Sequence, residues 1–172
     1  LEMHWQNDLV IIYHKDNESE YIINGYTYIA KKGSFIIINP KQVHQEKSLS
    51  DKNIVTLVLS VNYNLLLSKL FDQADEKYIL ELSKGKLLLP SILPIEDPLY
   101  YDFKDLFNRI IKEIESNKFG KELKVKSLLF EIVYLFLSNK RFYSNDDFRR
   151  KKELEDNHFV RETIQYIHDT YQ

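Results

Sequence analysis

Glu20-Tyr21-Ile22-Ile23-Asn24-Gly25-Tyr26-Thr27-Tyr28-Ile29 decides the fold class. Two β-branched and aromatic runs flank Asn24-Gly25. Asn-Gly suits a tight type I′ hairpin, because both central residues of that turn take positive φ. Upstream, Leu9-Val10-Ile11-Ile12-Tyr13 is a third such run, ended by the turn-rich Lys15-Asp16-Asn17-Glu18. Downstream, Lys32-Gly33 turns the chain into Phe35-Ile36-Ile37-Ile38, which Asn39-Pro40 closes. Residues 54–59 and Lys86-Leu87-Leu88-Leu89 supply two more strands. Short strands with turns every few residues predict an antiparallel β-barrel or sandwich.

After Pro98 the period changes. Residues 101–116 place Phe103, Leu106, Phe107, Ile110, Ile111 and Ile114 three and four apart, which predicts an amphipathic helix. A second helix is expected over about 121–139, and its centre is apolar on nearly every side. A helix of that kind must be covered on more than one face. One sandwich covers one stripe, so a partner subunit is expected on Leu128, Leu129, Ile132, Val133, Leu135 and Phe136. The polar, charged stretch 140–157 reads as a linker. From Phe159 a fresh helical pattern with Val160, Ile164, Ile167 and Tyr171 runs to the end, too short to fold alone.

Composition narrows the function. The 172 residues carry 24 Lys+Arg against 26 Asp+Glu, a net charge of -2, without the basic excess that DNA binding needs. There is no cysteine, so disulfides, thiolate nucleophiles and Cys-based zinc sites are excluded, and a reducing, cytoplasmic setting fits. Gly25, Gly33, Gly85 and Gly120 stand alone, so neither G-x-G-x-x-G nor a P-loop can be written. No run reaches the ~18 apolar residues of a membrane helix. No Ser/His/Asp arrangement or paired carboxylates can be assembled, so no catalytic residue is assigned. His14, His158 and His168 read as surface or linker residues.

His4-Trp5-Gln6-Asn7-Asp8-Leu9-Val10, then Tyr21-Ile22-Ile23-Asn24-Gly25, then Lys32-Gly33-Ser34-Phe35-Ile36-Ile37-Ile38-Asn39-Pro40 and His44 together resemble the cupin sensor domain of AraC-family transcriptional regulators. The resemblance implies four parts: a cupin-like effector-binding domain at 1–97, a helical dimerisation hairpin at 98–139, a linker at 140–157, and at 158–172 the first helix of a helix-turn-helix domain that continues beyond the chain. It further implies a homodimer that meets DNA only through that later domain, while low Gly and Ala with abundant Lys, Ile, Asn and Tyr suggests an AT-rich bacterial genome. Metal-binding cupins carry His-x-His, a Glu and a final His. Here His4 and His44 match the outer positions, but Gln6 and Val10 stand where a His and the Glu would be. Amide and isopropyl groups make a poor metal shell, so no metal and no cofactor is expected. A metal-dependent cupin enzyme of dioxygenase or isomerase type is the alternative.

A metal-free barrel can enclose a small molecule. Strand alternation places Val10 and Ile12 inward, with Tyr21, Ile23, Tyr28 and Ala30 as candidates for the same interior. The expected ligand-binding set is His4, Gln6, Val10, Tyr21, Tyr28 and His44: polar tips on an apolar wall, suited to a sugar or another small polar metabolite.

Overall fold

The computed structural model describes residues 3–49, 54–70 and 72–146. Nine strands and three α-helical segments form in these stretches. Strands β1 (Leu9–Asp16), β2 (Ser19–Ile23), β3 (Tyr26–Ala30), β4 (Phe35–Ile38), β5 (His44–Ser48) and β6 (Val55–Val61) come first. A π-helical turn at Asp75–Ile79 runs into α1 (Leu80–Ser83), followed by β7 (Leu87–Leu88) and β8 (Ile92–Leu93). Helices α2 (Tyr100–Glu115) and α3 (Lys121–Ser138) follow, then β9 (Tyr143–Ser144). The hairpin turn has the expected geometry, with φ of 49° at Asn24 and 83° at Gly25.

One sheet has the order β6-β1-β4-β8 and another β3-β2-β5, while β7 and β9 pair separately. All pairings are antiparallel. An antiparallel sandwich followed by a helix pair is therefore the architecture, as the strand and helix spacings predict, and it fits the cupin-like domain that the resemblance implies.

The larger sheet is covered on both faces. Val10, Ile12, Ile36 and Ile38 meet Tyr21, Ile23 and Ala30 of the smaller sheet in one apolar cluster. Leu9, Ile11, Phe35 and Ile37 point the other way, into a second cluster built with α2 and α3. This is why 9–12 and 35–38 are buried at every position instead of alternating. Phe35 anchors the helical side, with Phe103 and Phe107 of α2 edge-on to it at centroid distances of 4.9 and 5.1 Å.

The helix pair corrects the expectation for α3. Leu128, Leu129, Ile132, Val133 and Phe136 are at most 5% exposed inside the chain's own core, and Leu135 packs partly against it. The larger sheet and α2 together cover the sides that seemed to need a second subunit. The side of α3 left to solvent carries Leu123, Phe130 and Tyr134 instead.

His14 also departs from its expected surface position. It continues the inward register of Val10 and Ile12 and is fully buried. The 158–172 helix, His158, His168 and the linker beyond residue 146 lie outside the described residues.

Candidate functional site

Three segments meet along one seam of the sandwich. Strand β3 is an edge of the smaller sheet and presents Tyr26 and Tyr28. Residues 87–92 bring Leu88, Leu89, Ser91 and Ile92, and residues 141–144 form the third wall. Between them lies a cleft of about 730 Å³, within the range of small-molecule sites.

Asn39 holds the second wall in place. Its side-chain Nδ2–H donates to the Leu89 carbonyl at 2.9 Å, and its Oδ1 accepts from the Leu89 N–H at 2.8 Å. Gln42 Oε1 takes the other amide proton and the Asn39 N–H. A fully buried asparagine so paired fixes backbone that belongs to no long strand.

The third wall leaves α3 directly. The Arg141 N–H donates to the Phe136 carbonyl at 2.8 Å, and the Arg141 guanidinium pairs with Asp97. Leu87 and Leu88 then pair with Ser144 and Tyr143, and the Asn145 N–H donates to the Lys86 carbonyl at 2.8 Å. Residues 141–145 are thus a strap, held over the cleft by a two-residue ladder, single hydrogen bonds and one ion pair.

Tyr28 and Ser91 share a hydrogen bond on the lining, and burial pushes the Tyr28 hydroxyl above its ordinary pKa of 10.0. It is a neutral donor and acceptor at physiological pH. Tyr28 and Ile92 also pack against the cluster between the sheets, so they join the cleft to the sandwich interior.

Deeper in that interior lies a second polar group. The Tyr21 hydroxyl donates to Glu46 Oε1 at 2.8 Å, and His14 Nε2 stands 3.0 Å from the same hydroxyl oxygen. The tyrosine's one proton goes to Glu46, so Nε2 of His14 carries the imidazole proton and donates it. Its Nδ1 is buried with no hydrogen-bond partner, and burial lowers the His14 pKa despite Glu46 nearby. Among the described residues no three His, Cys, Asp or Glu side chains gather as a metal site.

The model of the AraC-like ligand binding domain matches residues 2–133. The chain belongs to that family. No curated protein matches the chain. Among solved structures it is similar to wild-type ToxT from Vibrio cholerae, solved with unsaturated fatty acid bound. The identity there is 15% and the TM-score 0.43, with 81% of this chain and 48% of the ToxT chain covered. The chain thus spans about half of that protein's length.

Within this AraC-like ligand binding domain, the six residues expected to bind ligand separate into three places. Tyr28 lines the seam cleft. Val10 and Tyr21 are buried between the sheets, with Tyr21 committed to Glu46 and His14. His4 and His44 meet at the end of β5, where their backbones exchange hydrogen bonds of 3.0 and 2.8 Å and their rings lie 4.2 Å apart. Gln6 is beside them, its carbonyl accepting from the Lys41 N–H at 2.7 Å. Sequence reasoning found the strand at 86–89 but missed that it and the strap wall a cleft, because a two-residue pairing has no periodicity to read. It also missed His14, although period-two spacing from Val10 and Ile12 could have found it.

Proposed function

We propose that this chain is the effector-sensing portion of an AraC-type transcriptional regulator, with the small molecule held in the seam cleft. Membership of the ligand-binding family supports the sensing role. One observation carries the location: the cleft's third wall is the strap that continues α3 toward the chain's C-terminal end. A ligand lying against Tyr143 and Arg141 touches the stretch through which a following DNA-binding domain would be attached. It shifts that attachment to the extent that it binds one strap arrangement more tightly than another. In the same reading the chain forms a homodimer through the solvent side of α3, where Leu123, Phe130 and Tyr134 are exposed.

A thermal-shift screen tests the location, because a ligand that binds only the folded chain raises its Tm. A compound that stabilises the wild type should lose that effect in Ser144→Trp, which places an indole on the cleft wall. Stabilisation that survives Ser144→Trp would put the ligand elsewhere and overturn the reading.

A further inference from the structure

The charges of the cleft point to the chemistry of its occupant. Of the described residues that line it, Asp97 and Arg141 alone are of charged type, and they are bound to each other. The Asp97 side chain is only 7% exposed. The cleft therefore carries no uncompensated charge: an anionic ligand meets a guanidinium whose charge Asp97 already balances, and gains little to offset its own desolvation. A cation meets the converse problem, because Asp97 is already occupied. The phenol of Tyr28 is kept neutral by burial and offers no fixed charge of its own.

The uncharged part of the lining narrows the class again. Leu88, Leu89, Pro90, Ile92 and Phe142 face the cleft. A polyhydroxylated ring laid on them has hydroxyls with no partner, each carrying a desolvation cost. The uncharged polar side chains are Tyr26, Tyr28, Gln42 and Ser91 on one side, with Gln42 Oε1 already taken by Asn39, and Tyr143 and Ser144 on the strap. A site of this kind fixes one or two polar groups of a ligand whose body is apolar.

Resting on the assignment of the cleft as effector site, we propose that it takes an uncharged small molecule with an apolar, ring-sized body and one or two hydrogen-bonding groups. Sugars and carboxylates are both disfavoured, the first by the apolar wall and the second by the Asp97–Arg141 pair.

Two fluorescent probes with a common body separate the outcomes. N-phenyl-1-naphthylamine is neutral, while 8-anilino-1-naphthalenesulfonate is the same skeleton with a sulfonate. Equilibrium titration of the wild-type chain should show the neutral probe binding at least about tenfold more tightly than the sulfonate. Ser144→Trp should weaken the neutral probe by a similar factor. Asp97→Asn, which releases Arg141, should narrow the gap between the two probes. A sulfonate bound as tightly as the neutral probe, and weakened by Ser144→Trp, overturns the ligand class while leaving the cleft as the site. Binding of either probe that ignores Ser144→Trp, or no binding at all, overturns the cleft assignment itself.

Discussion

Arg141 and Asp97 are 44 residues apart in the chain, and their ion pair joins the first step beyond α3 to the turn that enters α2. Asp97 does two things there. Its Oδ2 holds the guanidinium, while its Oδ1 accepts the Leu99 N–H at 2.9 Å. The strap and the start of α2 therefore depend on one carboxylate.

Substitutions at Asp97 should separate the two duties. Asp97→Ala removes both and should destabilise the chain by about 2–3 kcal/mol, since a nearly buried charged acceptor is lost. Asp97→Asn keeps an oxygen for Leu99 and should cost less than about 1 kcal/mol, because Arg141 is partly solvated. Thermal denaturation measures the difference. Equal losses for the two variants would mean that the helix-entry bond contributes nothing.

His14 should titrate below 6.5, its ordinary value, because burial penalises the imidazolium. The unfolded chain takes up this proton near 6.5 and the folded chain only at lower pH. Between those two points the unfolded state binds more protons, so acid favours unfolding and stability rises with pH. His44, likewise held down by burial, acts in the same direction. The midpoint of the His14 imidazole resonance, followed by NMR against pH, checks this directly. A midpoint at or above 6.5 would contradict it. Tyr21→Phe should cost about 1–3 kcal/mol, since it strands the His14 Nε2–H and takes a donor from Glu46.

The two sides of α3 should respond differently. Phe136→Ala empties a fully buried site and should cost about 3–5 kcal/mol, whatever the oligomeric state. Tyr134 is 71% exposed, so Tyr134→Lys should change stability by no more than about 0.5 kcal/mol. In sedimentation, Tyr134→Lys should weaken the homodimer proposed for this side of α3. A dimer unchanged by it would place the interface away from this stripe.

What could be read from the residues follows the range of the forces involved. Asn24-Gly25 announces its turn because positive φ at both positions is a local constraint. Helices α2 and α3 announce themselves by spacing, and their observed bounds fall within one residue of those expected. The coverage of α3 was not legible in the same way. An apolar surround says that two faces are buried, but whether sheet, neighbouring helix or partner buries them is settled by tertiary packing. The uninterrupted apolar runs 9–12 and 35–38 held the missing information, since a sheet apolar on both faces needs helices on one of them. The cleft was least legible. Its walls depend on Leu87–Leu88 finding Tyr143–Ser144 across more than fifty residues, and a two-residue pairing leaves no pattern behind.

Amide hydrogen exchange of the strap is the most direct test of the account, because its weakly held hydrogen bonds open more readily than core ones. With N-phenyl-1-naphthylamine at saturation, exchange at Asn145, whose N–H is held by the Lys86 carbonyl, should slow in the wild type and stay unchanged in Ser144→Trp at the same probe concentration. Full occupancy that leaves strap exchange unaltered would contradict the claim that the cleft's ligand is felt where the chain leaves α3.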